Sequence, residues 1–466
     1  MKFINREEEL AFLQKEYQQK KAKLVPVYGR RRVGKTRLIN EFLRDKPHLY
    51  FLCEQTSELA QLKQLSSQIG EFFQEPLLTK QSFPSWNDMF EFLGRKKQKY
   101  VLVFDEFPYL CQANPAIASL FQKGWDLYLA KSNVFLILSG SSIGMMEKEV
   151  LFYKAPLYGR RAGQILLKPF NFFQSRNFFP QSMAEEMVAI YTLLGGIPAY
   201  LLEYNPKLNF WQNIKERILP PSQFLAREAE FIVREKLREP RTYLTILKTI
   251  SEGKRKFGEI ANAVGLKKSS LSKYLGVLES LYFIQREVPI TEKFPEKSKK
   301  GLYRLKDNFF NFYFSSVFPF KNDLEKGLFD LVLENKIKPR FEFLAAFVFE
   351  DICVEAVPKI SKRNFPKIEK AGRFWDKDTE IDIVGLNEKS GEILFGECKW
   401  SNHPLGVNIF KNLLEKRQKV DWRSGQRKEF FALFSKAGFT PALEKIAQKR
   451  SDTFLFKLKD LEAVKG

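Results

Sequence analysis

Residues 25–42 read VPVYGRRRVGKTRLINEF. Gly29 is followed by four residues, Arg30, Arg31, Arg32 and Val33, and then by Gly34, Lys35 and Thr36, which is the spacing of a phosphate-binding loop. Ahead of it, KLVPVY (23–28) is a short apolar run with β-branched residues; behind it, TRLINEFL (36–43) sets Leu38, Ile39, Phe42 and Leu43 at helical spacing. Strand, glycine loop and helix follow one another. The two glycines let backbone N–H groups turn toward a β-phosphate, and the helix N-terminus adds partial positive charge. Lys35 then reaches the β- and γ-oxygens, and Thr36 is placed to ligate Mg²⁺.

Two further strand ends belong with this loop. In KKQKYVLVFDEFPYL the apolar run 100–104 ends in Asp105 and Glu106. A carboxylate at the carboxyl end of a buried strand holds the Mg²⁺ water shell, and the next one orients and polarises an attacking water, so the pair suits hydrolysis as well as binding. NVFLILSGSS (133–142) is a third apolar strand, ending in Ser139 and Ser141, hydroxyls expected to sense the γ-phosphate.

Composition bounds the setting. The 466 residues suffice for about three domains, and 44% hydrophobic residues exclude a disordered chain. Apolar runs such as YVLVF fall short of the ~20 residues a membrane span needs, and MKFINREEEL is too acidic and polar for a signal peptide. A cytoplasmic protein without membrane contact is expected. Cys53, Cys111, Cys353 and Cys398 lie far apart with no CxxC pair, which predicts reduced, packed thiols. Lys and Arg number 77 against 55 Asp and Glu, a net charge of +22, so a polyanion is the expected partner and nucleic acid the leading candidate.

The loop, the Asp105–Glu106 strand end and the Ser139 strand, together with INREEEL (4–10), LYGRRAG (157–163) and LLGGIPAYL (193–201), resemble the archaeal-type ATPase family of the AAA+/STAND group of P-loop NTPases. The resemblance runs from about residue 1 to 235. It implies a parallel sheet flanked by helices, ATP and Mg²⁺ as ligands, Arg6 and Glu7 near the nucleotide base, and Pro198 near the adenine. It also implies that Arg160 or Arg161 acts as an arginine finger or sensor, and hence a homo-oligomer, because such a finger usually reaches in from a neighbouring subunit.

Residues 241–306 change character. RTYLTILKTISE (241–252) has helical spacing, FGEIANAV (257–264) reads as a short helix, Gly265 as a turn, and Ser269–Leu281 as a second helix opening on hydroxyl caps. This is helix-turn-helix grammar, with YFIQREV (282–288) and the Lys-rich 291–305 as a wing. Leu271, Leu275 and Leu278 face the core, which leaves Lys267, Lys268, Ser270, Ser272 and Lys273 at the end that enters a major groove. The segment carries 15 Lys and Arg against 6 Asp and Glu, a net of +9, so DNA contact is expected here.

Near the C-terminus stands FWDKDTEIDIVGLNEKSGEILFGECKW. Alternation places Glu380 and Asp382 on one face of a strand with Ile381 and Ile383 on the other, and Glu397 with Lys399 on one face of the next. Closure through NEKSGE (387–392) makes facing residue numbers sum to 779, setting Asp382 against Glu397. Facing carboxylates repel unless a cation sits between them, so a divalent metal is expected, with Lys399 orienting or deprotonating water or stabilising phosphate charge and Glu350 extending the site. With the aspartate ahead of E-x-K, this region resembles the PD-(D/E)XK restriction-endonuclease-like domain that archaeal-type ATPases carry at their C-terminus.

The expected architecture is therefore α/β and multidomain. It comprises a P-loop ATPase core (1–170), a helical lid (171–240), a winged helix-turn-helix (241–306), an aromatic connector (307–339) and a nuclease-like α/β domain (340–466). The expected function is ATP hydrolysis coupled to DNA, with a STAND-type regulator or a nucleotide-gated DNA-binding protein lacking nuclease chemistry as the alternatives.

Overall fold

The computed structural model describes residues 3–237 and 239–464. The chain forms two compact units, Met1–Pro169 and Phe170–Gly466.

In the first unit five strands make one sheet: β1 (Lys23–Tyr28), β2 (His48–Leu52), β3 (Tyr100–Asp105), β4 (Val134–Gly140) and β5 (Ile165–Leu166), in the order β2-β3-β4-β1-β5. Every neighbouring pair is parallel. β3 and β4 are buried along their whole length, as their unbroken apolar runs require of strands covered on both faces. The helix Lys35–Leu43 turns Leu38, Ile39, Phe42 and Leu43 into a core shared with Val25, Val27, Val101, Val103 and Ile137. Each such side chain, fully buried, contributes about 1.5–3 kcal/mol. Because β1, β3 and β4 run side by side in one direction, their carboxyl ends share one edge, where Tyr28 pairs with Gly140 and Phe104 with Leu138. This is the parallel α/β sheet of a P-loop NTPase.

The second unit holds the helices Pro240–Ser251, Phe257–Val264 and Lys268–Ser280, followed by the antiparallel pair β6 (Ile284–Glu287) and β7 (Leu302–Leu305). Gly265 ends the middle helix in the left-handed region, at φ 72°. The expected hydroxyl cap does not form. Extended Lys267 opens the next helix, its carbonyl accepting from the N–H groups of Ser270 and Leu271, and no side chain caps the end.

A mixed five-stranded sheet follows: β8 (Lys370–Trp375), β9 (Glu380–Asn387), β10 (Glu392–Lys399), β11 (Lys428–Ser435) and β12 (Thr453–Lys457), in the order β12-β11-β10-β9-β8. β8, β9 and β10 form an antiparallel meander, while β10, β11 and β12 are parallel and linked by the helices Val407–Lys416 and Pro441–Gln448, since parallel neighbours need a crossover. The long helix Lys338–Ala356 packs Val348, Phe349 and Ile352 in one cluster with Ile383, Leu394 and Phe434. Phe309, Phe310, Phe312, Tyr313 and Phe314 are buried in that same cluster, so the aromatic segment is core.

The β9–β10 register is the expected one. Asn387 pairs with Glu392 and the ladder continues to Ile383 with Gly396. Between β8 and β9 the pairing slips: Gly372 faces Val384 while Phe374 faces Ile381, so Asp382 and Ile383 together oppose Arg373. This bulge corrects the expected alternation. Ile381 packs with Phe374, Val384 and Leu386, whereas Ile383 joins the opposite cluster with Val348 and Phe349. All four cysteines are buried and free. Among the described residues no helix is long and apolar enough to cross a membrane.

Candidate functional site

The phosphate loop sits at the carboxyl edge of the parallel sheet. Gly29 is irreplaceable sterically: a Cβ there would lie 2.3 Å from the Leu167 carbonyl oxygen. Gly34 adopts φ 96° immediately before the helix Lys35–Leu43, as does Arg32 at φ 67° within the loop. Buried Lys35 curls back, its Nζ donating to the carbonyls of Gly29 and Arg30 at 3.1 Å each. Arg31 donates to the Tyr109 hydroxyl at 3.2 Å. Arg6, in the left-handed region and buried, donates to the carbonyls of Val33 (3.4 Å) and Lys168 (2.6 Å), which pins the start of the helix Glu7–Gln18 to the loop. Glu7 is the first residue of that helix and is exposed.

Thr36 and Asp105 meet as expected, with Thr36 Oγ1 donating to Asp105 Oδ2 at 3.0 Å. A hydroxyl beside a buried carboxylate fits a hard cation that keeps part of its water shell, so these two residues suit Mg²⁺ brought by a nucleotide. Tyr50, on the neighbouring strand β2, donates to the same carboxylate oxygen. Burial, and then the hydrogen bond to Asp105, raise its phenol, so it stays a neutral donor. Glu106 has φ 55°, a left-handed conformation that costs a non-glycine residue about 1–3 kcal/mol and is concentrated at functional sites. Its carboxylate accepts from both the N–H (3.0 Å) and the hydroxyl (2.9 Å) of Ser141. Ser139, by contrast, is fully buried inside β4 with its hydroxyl unpartnered, while its carbonyl accepts from Phe107 N at 2.8 Å. Ser141, just past the strand end, is the serine that reaches the site carboxylate.

Arg160 is held in a fork by Asp126, at 2.9 and 2.7 Å, and Arg161 lies over the Tyr158 ring at 4.8 Å. Both arginines thus have partners within their own unit. Pro198 belongs to the second unit, where it opens the short helix Pro198–Leu201.

The second group of expected residues lies in the Phe170–Gly466 unit. Lys399 Nζ is 3.8 Å from Asp382 Oδ2 and 3.5 Å from Glu397 Oε2, so both carboxylates converge on one ammonium. Glu397 is buried and also paired with Lys416 at 2.6 Å; Asp382 accepts from Cys398 N at 2.9 Å. Glu350 turns to Arg373, at 3.1 Å. The repulsion anticipated between the carboxylates is real, since burial and then Asp382 raise the Glu397 carboxyl and lift Glu350 to about 7. The protein's own cations offset it only in part, since both carboxyls stay raised on balance. Burial would lower the Lys399 ammonium, yet Asp382 and Glu397 raise it on balance, which holds it charged beside the two carboxylates and runs against the expected role as a base.

Two converging carboxylates suit Mg²⁺, which is commonly held by one or two of them, although here Lys399, Lys416 and the Cys398 N–H already occupy their oxygens. A closed cluster is not formed: among the described residues, no group of three or more His, Cys, Asp or Glu is arranged to hold a metal ion. Glu350 is drawn away into a network in which Arg373 also meets Asp351 at 2.8 Å, Arg304 meets Asp351 and Glu287, and Arg255 meets Glu287. The guanidiniums of Arg255, Arg304 and Arg373 surround the Phe347 ring at 5.3, 4.9 and 4.7 Å. No local sequence signal marks Tyr50, Arg373 or Lys416 as site residues, because each comes from another element, whereas Asp351 directly follows the expected Glu350 on one helix.

The five residues expected to contact DNA flank the start of the helix Lys268–Ser280. Lys267, Lys268, Ser272 and Lys273 are exposed and Ser270 half-buried, while Leu271, Leu275 and Leu278 are buried behind them.

The family of ATPase domains predominantly from Archaea matches residues 3–204, and a family of archaeal and bacterial proteins of unknown function matches 313–419. An uncharacterized protein of Methanocaldococcus jannaschii is 37% identical over 463 residues, spanning 98% of this chain and 99% of its own. Among solved structures, a Walker-type ATPase of Pyrococcus abyssi is 24% identical, covering 67% of this chain and 96% of its own, with a TM-score of 0.48. The ORC2 protein of Aeropyrum pernix, solved in ADPNP–ADP complexes, is 12% identical, covering 70% and 95%, with a TM-score of 0.46. With the loop, Lys35 and the Asp105–Glu106 strand end gathered at one sheet edge, the chain belongs to the archaeal-type P-loop ATPase family.

Proposed function

We propose that this ATPase is a DNA-associated protein in which the nucleotide state controls a winged-helix module and a nuclease-like module. Residues 1–170 form the ATPase core, 171–240 a lid, 241–306 the winged helix, 307–339 a packed connector and 340–466 the nuclease-like domain. Lys35 and the loop N–H groups bind the ATP phosphates, Arg30–Val33 shape the loop around them, and Arg6 and Glu7 border the base. Thr36 and Asp105 hold Mg²⁺, which shields phosphate charge when bound. Glu106 leaves Ser141 to orient the attacking water, drawing on a carboxylate already positioned by its left-handed backbone. Ser139 supports that edge from within β4. Arg160 or Arg161 acts on the phosphates of a neighbouring copy once its present partner is exchanged.

The observation that carries the DNA reading is the exposure of Lys267, Lys268 and Lys273 at one helix start within a segment of net charge +9. Phosphate attraction of that size is what sequence-independent binding needs. In the C-terminal domain Asp382 and Glu397 would hold Mg²⁺, Glu350 borders them, and Lys399 would steady the scissile phosphate as an ammonium.

One observation favours a second reading, a regulator or nucleotide-gated DNA-binding protein without cleavage: Lys399, Lys416 and Arg373 already neutralise the three carboxylates. A single assay separates the two. Duplex, single-stranded and branched DNA are incubated with the protein, with and without ATP and Mg²⁺, beside an Asp382→Ala control. Metal-dependent nicking lost in the control supports the nuclease; binding without nicking under every condition supports the regulator.

A further inference from the structure

The loop between β6 and β7 presents Phe294 with 71% of its surface exposed. Around it Lys293, Lys297 and Lys299 are exposed as well. A single surface phenylalanine is ordinary, so the construction of the loop is what matters. Arg286, on β6, lays its guanidinium inside the loop and donates to the carbonyls of Pro295 (3.0 Å) and Ser298. Gly301 leaves the room this needs, since a Cβ there would lie 2.3 Å from Arg286 Nε. Lys297 N donates to the Phe294 carbonyl at 3.1 Å, closing a tight turn behind the ring. Both stems are tied to β8, through Ile290 N to the Arg373 carbonyl and Trp375 Nε1 to the Lys300 carbonyl, at 2.9 Å each. The ring therefore stands on a rigid, braced support.

We propose that Phe294 is an apolar wedge that enters the minor groove of double-stranded DNA and inserts at a base step, while Lys293, Lys297 and Lys299 lie on the flanking phosphates. The inference rests on the DNA-binding reading above and names the group that engages the bases. Lysines alone account for phosphate attraction but not for a braced, exposed ring among them. An apolar side chain between base steps stacks on both faces and kinks the duplex, and lysines on either side match the phosphates that border the step. A protein partner would instead call for an apolar surround, and the surround here is charged, with Lys293, Lys297, Lys299 and Lys300 outnumbering Glu292 and Glu296.

The test uses the full chain and a duplex carrying 2-aminopurine, whose fluorescence rises when its base is unstacked. Wild-type protein is expected to raise the signal. Phe294→Ala is expected to lose that rise and about tenfold to a hundredfold of affinity, at unchanged melting temperature and unchanged salt slope, because no phosphate contact has been removed. Phe294→Trp is expected to restore both signals. If wild type binds duplex with a steep salt slope but Phe294→Ala matches it in affinity and fluorescence, the wedge is overturned and the DNA reading stands. If Phe294→Ala keeps DNA affinity but loses self-association in sedimentation, the ring is a contact between copies and the wedge is again overturned. If wild type binds no DNA at all, the inference fails together with the reading beneath it.

Discussion

Arg373→Leu tests whether the protein's own cations hold the C-terminal carboxylates together. The Arg373 side chain is only 6% exposed and lies 3.1 Å from Glu350, 2.8 Å from Asp351 and 4.0 Å from Glu287. Removing one partner from a buried ion pair costs about 3–5 kcal/mol, because the remaining charge is stranded. Asp351 keeps Arg304 and Glu287 keeps both Arg304 and Arg255, so Glu350 bears most of the loss and the lower end, about 3 kcal/mol, applies. Unfolding entropy of about 2.1 cal/mol/K per residue over a unit of roughly 300 residues converts this to a melting-point drop of about 5 °C. Adding Glu350→Gln removes the stranded charge and is expected to recover about half of the drop, although Glu350→Gln alone does little harm because burial and then Asp382 disfavour its charged form, pushing the carboxyl up to about 7. A double-mutant cycle by calorimetry at pH 8 measures both terms. A single variant that melts within 1 °C of wild type, or a double variant with no recovery, would refute the counter-ion role of Arg373.

Other consequences are open to direct measurement. Lys35→Ala is expected to abolish hydrolysis and weaken ATP binding strongly, whereas Glu106→Gln keeps ATP bound and loses about 10²–10⁴-fold in turnover, as rapid-filtration binding beside phosphate release will report. Replacing Lys267, Lys268 and Lys273 with Ala should lower the slope of log K against log[salt] by about two to three, since each phosphate contact contributes ~0.9; an unchanged slope moves the DNA surface elsewhere. Without nucleotide, Mg²⁺ at about 100-fold over its dissociation constant should stabilise the second unit by about 2.7 kcal/mol, and Asp382→Asn should erase that response while keeping the bond to Cys398 N; a metal-indifferent wild type refutes the two-carboxylate site. Buried Glu230 is paired with Arg234 at 2.8 Å and Lys321 at 3.2 Å, and these partners outweigh burial to lower its carboxyl. Its stabilisation is therefore present at neutral pH and lost as the pH falls through the lowered value, so Glu230→Gln should destabilise at pH 7 and converge with wild type in acid.

The features legible in the chain before folding are local. The glycine spacing around Arg30–Val33, the helical spacing of Leu38, Ile39, Phe42 and Leu43, and the two buried apolar strands are properties of short windows. Neighbouring residues dictate them, and they appear at the expected positions. The β9–β10 register was also legible, because a turn at Asn387–Glu392 leaves one way to close the hairpin. Tertiary structure alone decided which groups meet. Sheet order brings Tyr50 onto Asp105, and the position of Ser141 past the strand end, not Ser139 within it, gives Glu106 its partner. The bulge opposite Arg373 depends on β8, a strand whose pairing the hairpin residues do not encode. Lys416 and Arg373 reach the carboxylates from a crossover helix and an edge strand. A charge far along the chain has no local period to betray it; only packing decides which ions are buried together, and burial then makes their pairing matter.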